Sequence, residues 1–195
     1  MKFICLLVFL IFISVSLYSQ SSPGIYIQLL GIAQDGGYPH AGCMKSCCTA
    51  AWNNDSLKRY VVSLALVDSV NNQWWLFEAT PDIKYQLEDF HETTNGKFNY
   101  LPNGIFLTHA HIGHYTGLMQ LGREVMSTKE VPVYVLPRFK TYLETNGPWS
   151  QMVTLKNIVL HQLKADSVFS LTDEIKIETF AVPHRDEYSE TAGFK

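Results

Sequence analysis

Apolar and polar positions change their spacing several times along the chain. Residues Phe3–Tyr18 are apolar almost without interruption, with Lys2 in front and no acidic residue before Asp35. From Ile25 onward the pattern becomes periodic. Ile25–Ile32 predicts a first strand that runs into the turn Asp35-Gly36-Gly37. Tyr60–Val67 alternates and is β-branched, Asn71-Asn72 makes a hairpin turn, and Trp74–Glu78 returns as the partner strand. Ile83, Leu87 and Phe90 have helical spacing, which predicts a helix over Asp82–Phe90 with Pro81 at its start. Gly104–Thr108 reads as a short buried strand, Gly117–Met126 as a helix and Val131–Leu136 as a strand. Arg138–Thr145 reads as a helix closed by Asn146-Gly147-Pro148. Ile158–Leu163, Val168–Leu171 and Ile175–Val182 complete the strands. The order predicts an α/β layer protein, with strands packed as sheets and helices outside.

The first apolar run changes the picture of compartment. A basic residue, a run to about Ile13 and then Ser14-Val15-Ser16-Leu17-Tyr18-Ser19 have the three-part form of a secretory signal peptide. The run falls short of the roughly 20 residues of a spanning helix. Residues 1–20 are therefore expected to be cleaved, leaving no membrane span and a periplasmic or extracellular domain over residues 21–195. Of 195 residues, 175 then remain, and loss of Lys2 leaves 14 basic against 18 acidic side chains. That length fits one domain. The acidic balance argues against a nucleic-acid partner or an anionic membrane surface, both of which want a basic patch, and leaves a small-molecule substrate as the expected partner.

Candidate chemistry concentrates in histidines and cysteines. His109, His111 and His114 lie within six residues, just past the strand Gly104–Leu107. A His-x-His pair on a loop leaving a strand can aim two imidazoles at one point, and neutral imidazole is a good zinc ligand. Cys5 leaves with the signal segment, so Cys43, Cys47 and Cys48 remain. An odd count does not suit a disulfide framework, and adjacent cysteines bridge each other only with strain. A metal site is the better use of three clustered thiols.

At this point the residues become recognisable. Thr108-His109-Ala110-His111-Ile112-Gly113-His114 resembles the His-x-His-x-Asp-His signature of the metallo-β-lactamase superfamily. Val182-Pro183-His184, followed by Ser189-Glu190-Thr191-Ala192-Gly193-Phe194, is similar to the segment in which a ligand histidine ends a strand of that fold. Leu29–Pro39, with the cysteines after it, resembles pyrroloquinoline quinone biosynthesis protein B and its exported relatives, and also the cyclic-phosphate phosphodiesterases of phosphonate breakdown. The resemblance implies an αββα sandwich, here its N-terminal half plus the start of the second.

It also implies that His109, His111 and His184 form a first metal site with an open position, the catalytic-zinc arrangement, with His114 in a second site. Gly113 stands where the signature has an aspartate that ligates the second metal, so one catalytic-type zinc is expected rather than two. The family's later bridging aspartate and final histidine are expected beyond Lys195, where the strand-like Gly193-Phe194-Lys195 ends the chain. The related families carry a structural zinc of clustered cysteines, which makes Cys43, Cys47 and Cys48, with His40 as fourth ligand, a closed site. The Cys spacing departs from the usual form.

Four carboxylates are weighed beside the site. Glu78 and Asp82 either support the active-site loops or cap a helix. Asp186 and Glu187 either contact the metal ligands or substrate, or belong to a solvated turn. The resulting expectation is an exported metal-dependent hydrolase acting on a phosphodiester, ester or amide-type bond. The competing readings are an accessory metal-binding protein related to pyrroloquinoline quinone biosynthesis or transport, and an inactive truncated fragment.

Overall fold

A computed structural model describes residues 24–195; the expected signal segment lies outside the described residues. Among the described residues nine strands form two sheets. In the first sheet, β1 (Ile25–Gly31), β2 (Ser63–Asp68) and β3 (Gln73–Phe77) are antiparallel. β4 (Ile105–Phe106), β5 (Val131–Val135) and β6 (Ile158–Gln162) then add in parallel. The second sheet is the antiparallel meander β7 (Ser167–Ser170), β8 (Lys176–Ala181) and β9 (Ala192–Phe194). The helices are α1 (Ser46–Trp52), α2 (Ile83–Thr93), α3 (Ile112–Tyr115), α4 (Pro137–Thr145) and α5 (Trp149–Thr154).

Alternation along the strands explains the layering. Ala65, Val67, Trp74, Leu76, Ile105, Val133 and Val135 face the helices, where Ile83, Leu87, Phe90, Phe139 and Leu143 close a core. Their neighbours Leu66, Trp75 and Phe106 face the other way, onto Ile175, Ile177 and Ala192 of the second sheet and its approach. Central strands are thus apolar on both faces, as expected for strands covered on both sides. The described residues form three layers, helices on a sheet on a second sheet, in agreement with the expected sandwich.

The predicted strands and hairpin all appear, most with ends shifted by a residue or two, although Tyr60–Val62 precedes β2 proper and β4 is only two residues long. One predicted helix does not form. Gly117–Met126 is a 3₁₀ segment over Thr116–Leu121 followed by turns. Gly117 lies so close to the β3–α2 connection that a Cβ would come 2.0 Å from the Thr80 carbonyl oxygen. Its N–H donates to the Ala79 carbonyl at 2.9 Å, and Gly122 is extended. Tertiary packing here overrides helical spacing. Helices α1 and α5 have no predicted counterpart; each is only two turns long or less, too short for a clear apolar period.

The hairpin between β2 and β3 is fixed by one buried carboxylate. Asp68 Oδ1 accepts from the Val70 and Asn71 backbone N–H groups at 3.0 Å each, and Oδ2 accepts from Asn71 Nδ2 at 2.7 Å. The Asn71 side chain, followed by those backbone donors and opposed by burial, holds the Asp68 pKa below its ordinary value. Stability from a depressed carboxyl is present above the unfolded pKa of about 3.9 and is lost as pH falls through the folded value. Asp68→Ala is expected to cost roughly 1.5–3 kcal/mol at pH 7. That difference from the unsubstituted protein should shrink in urea denaturation below about pH 4. A difference that stays constant with pH would show that the turn is held by something other than the charge.

Candidate metal centre

The site is built where the loop after β4 meets the loop between β8 and β9. Thr108–His111 leaves β4 and is tied at three places. The Thr108 N–H donates to Glu78 Oε1 at 3.3 Å, the Ala110 N–H to Ser189 Oγ at 2.8 Å, and the Thr108 carbonyl accepts from the Ala192 N–H at 2.9 Å. The last two contacts fasten the histidine loop of the first sheet to the second sheet. They also bring His184 over from 73 residues away.

Three ring nitrogens converge. His109 Nε2 lies 2.9 Å from His111 Nδ1, and His184 Nε2 lies 3.3 Å from the same atom. Each donor lies within 4.8 Å of the others. Nitrogens bound tetrahedrally to zinc at about 2.0–2.1 Å stand roughly 3.3 Å apart, so the spacing fits one cation. The outward nitrogens have partners that set the tautomers. His109 Nδ1 is 2.7 Å from Thr108 Oγ1, and His111 Nε2 is 3.3 Å from Glu187 Oε2. With each outward N–H donating to that oxygen, the inward nitrogens present lone pairs. Burial first, then the neighbouring imidazoles of His114, His111 and His184, push the His109 pKa down to about 3. It is therefore neutral, as a ligand must be. The residues present fit a metal.

His114, at the end of α3, is beside this group and not in it: its ring centroid is 4.3 Å from that of His109. Its Nδ1 is 3.5 Å from Glu78 Oε1 and its Nε2 is 3.3 Å from Asp35 Oδ1. Burial disfavours the charged form of His114, but the Glu78 and Asp35 carboxylates outweigh it and raise its pKa. Glu78 itself is buried and has a positive φ of 75°. A residue held there is strained by about 1–3 kcal/mol, strain that concentrates at working sites.

The four carboxylates divide. Glu78 and Glu187 touch histidines of the site. Asp82 Oδ2 instead accepts from the Val61 N–H at 2.9 Å and ties down the segment that leads into β2. Asp186 pairs with Arg138 at 3.2 Å, a rim contact on the start of α4. Asp35 and Ser189 are residues of the site that sequence reading passed over. Both lie inside segments that carry the family resemblance, Asp35 in Leu29–Pro39 and Ser189 after His184, but neither was given a role there, since Asp35 meets His114 and Ser189 meets Ala110 only in the fold.

Cys43, Cys47 and Cys48 also come together, their sulfur atoms within 4.8 Å of one another. Cys47 and Cys48 are 3.9 Å apart, against roughly 3.8 Å for thiolates bound tetrahedrally at about 2.3 Å from zinc. His40 does not join them; its Nδ1 faces the Ala41 carbonyl at 3.2 Å and its ring covers Gly36. The loop is held by Tyr38 Oη and Trp52 Nε1, which donate to the Cys47 and Cys43 carbonyls. Among the described residues no helix is long and apolar enough to cross a membrane.

Residues 73–195 match the family described as the beta-lactamase superfamily domain. The chain belongs to that superfamily. Its fold is that of the metallo-β-lactamases: it superposes on Zn²⁺-bound PqqB from Methylobacterium extorquens with a TM-score of 0.66 and 22% identity, over 87% of this chain and 58% of that one. A diphosphatase of the PhnP family gives a TM-score of 0.60 at 19% identity, over 88% of this chain and 61% of that one. Among curated sequences, coenzyme PQQ synthesis protein B of Methylorubrum populi is 26% identical over 164 residues, 82% of this chain and 52% of that protein. The chain thus spans about half the length of that curated relative. Superfamily membership and the histidine triad together make this a metal-binding member of a hydrolase-like family.

Proposed function

We propose that the protein is an exported zinc-dependent hydrolase that cleaves a phosphodiester, ester or amide-type bond of a small molecule. The observation that carries this reading is the convergence of His109 Nε2, His111 Nδ1 and His184 Nε2 on one point. Zinc is favoured by the all-imidazole donor set and by the zinc in the PqqB structure of the same fold. Such an ion supplies Lewis acidity and lowers the pKa of water to about 7. Thr108 and Glu187 hold the N–H protons of His109 and His111 away from the centre. Arg185 Nη2 lies 3.4 Å from His111 Nδ1 on an exposed side chain; a guanidinium at that rim would suit an anionic substrate oxygen. That feature favours the phosphodiester among the three bonds. The charged start, apolar run and serine-rich end of residues 1–20 support export.

A second reading, an accessory metal-binding protein of coenzyme PQQ synthesis, is favoured by the name of its sequence relative. Hydrolysis of bis-p-nitrophenyl phosphate by the purified protein separates the two. Turnover that a chelator abolishes and added zinc restores supports the hydrolase. Zinc bound at one equivalent in the triad with no turnover supports the accessory protein, and no bound zinc overturns both.

A further inference from the structure

A cavity of about 700 Å³ lies where the Gly36–Pro39 turn, α1 and α2 meet. That volume is within the roughly 300–1,000 Å³ of small-molecule sites. No histidine lines it, so it is separate from the triad. Four aromatic side chains, Tyr38, Trp52, Tyr60 and Tyr85, and the carboxylates of Asp82 and Asp89 make much of its wall. Asp82, Tyr85 and Asp89 recur at helical spacing along α2, beside the stripe of Ile83, Leu87 and Phe90 that enters the core. The core does not use them, and they all turn to one place.

The rings are fixed in place before any ligand arrives. Tyr38 and Arg59 exchange two backbone hydrogen bonds, at 3.0 and 2.9 Å. Tyr38 Oη donates to the Cys47 carbonyl, and Trp52 Nε1 donates to the Cys43 carbonyl at 2.9 Å. Tyr60 and Tyr85 stack with centroids 5.7 Å apart and planes 6° apart. A wall held in this way loses little side-chain entropy on binding. Lys84 Nζ already stands 4.5 Å from the Tyr85 centroid, the attraction of an aromatic face for positive charge. Trp52, 45% exposed, is the ring left open to a ligand, and tryptophan is the strongest cation–π partner.

The charges facing the cavity decide the sign of its ligand. Of the two cations that line it, Lys58 is paired with Asp55 at 2.7 Å, and the Arg59 guanidinium donates to the Ser56 and Lys58 carbonyls at 2.8 and 2.6 Å. Among the described residues neither Asp82 nor Asp89 has an ion-pair partner, and only Oδ2 of Asp82 is engaged, by the Val61 N–H. We propose that this cavity binds a small organic ammonium ion, its N–H groups on the Asp89 and Asp82 carboxylates and its apolar body against Trp52. Burial first, then the Asp89 and Asp82 carboxylates and Tyr85, raise the Tyr60 pKa, which agrees with a negative potential at that end of the cavity.

Isothermal titration calorimetry on the full chain tests this with three probes of one shape: 2-phenylethylammonium, the neutral 2-phenylethanol and the anionic phenylacetate. The ammonium ion should bind at one site with Kd of about 0.1–1 mM, ordinary for a ligand of about nine heavy atoms. The alcohol should bind at least about 10-fold more weakly, the value of a charge-assisted hydrogen bond, and phenylacetate should not bind. Asp89→Asn, an exposed position where folding is not at stake, should weaken the ammonium ion about 10-fold and leave the alcohol unchanged. Trp52→Ala should weaken both. His109→Ala, which removes a triad donor, should bind the ammonium ion as the unsubstituted protein does. No saturable binding of the ammonium ion overturns the proposal, as does an alcohol that binds equally well or an Asp89→Asn variant with unchanged affinity. Binding lost in His109→Ala would put the amine on the triad's metal and overturn it too.

Discussion

Replacing His109 with alanine is expected to empty the triad of metal. Of the three histidines, His109 is the buried one, and both of its ring nitrogens are in use: Nδ1 against Thr108 at 2.7 Å and Nε2 toward the shared point. Changes to the outer partners of metal ligands cost about 10–100-fold in affinity, so loss of a donor itself should raise Kd for zinc more than about 100-fold. Elemental analysis after dialysis against a buffered chelator measures this directly. The triad equivalent should disappear from His109→Ala while circular dichroism still reports the native fold. An unchanged metal content would show that the ions bind elsewhere, and the triad would lose its standing as the metal centre. Ser189 and Glu187 would be expected to show smaller effects, because they orient the loop and a ring without contributing a donor.

The largest loss of stability is expected from Phe106→Ala. Phe106 is fully buried and stacks on Phe77 at 5.0 Å and on Tyr134 at 4.5 Å, with the edge of Phe194 at 5.5 Å. Those rings come from β3, β5 and β9, so this one side chain joins three strands of the first sheet to the second sheet. Truncation leaves a cavity between two sheets that are both held by their own hydrogen bonds and cannot close over it. Such a site falls in the roughly 3–5 kcal/mol range for Phe→Ala. Urea denaturation measures it, with Phe106→Leu expected to recover part of the loss. A change under about 1 kcal/mol would mean that the sheets repack freely, contrary to the stacked geometry. Phe106 is two residues ahead of Thr108, so the loosened interface should also weaken metal binding.

Strands were readable from sequence because they lie between two apolar layers. Trp74-Trp75-Leu76-Phe77 declares burial on both faces by composition alone. The hairpin was readable for the same kind of local reason, since Asp68, Asn71 and Asn72 carry the turn among themselves. The 116–126 segment failed because its conformation is set by Gly117 against the Ala79 and Thr80 carbonyls, contacts that no local period reveals. At the site, His109, His111, His114 and His184 were found through motif chemistry, and the three cysteines through clustering. Asp35 lay inside the Leu29–Pro39 motif, yet its contact with His114 was not legible, because it exists only once the loop after β1 and α3 are side by side. His40 was expected among the thiols because it is near in sequence, yet the backbone turn at Ala41 sends its ring toward Gly36. Proximity along the chain is a weak guide where a loop reverses within three residues.

The joining of His111 to His184 spans 73 residues, and this distance says something about how the protein tolerates change. The entropy of closing a loop grows only with the logarithm of its length, about 0.6 kcal/mol for each doubling. Doubling an exposed connection in that stretch, such as the turn between β7 and β8, would therefore add less to the cost of assembling the centre than the loss of one hydrogen bond from Ser189. The exposed connections between the two histidines can change length while the centre keeps its shape, whereas β5 and α4, which place Val133, Val135, Phe139 and Leu143 in the core, are fixed by packing. The contacts that tie the histidine loop itself are local to the rims: the Ala192–Thr108 link, the Ser189 hydroxyl and the Glu78 carboxylate. A fold wired in this way can acquire new surfaces around a constant reactive point.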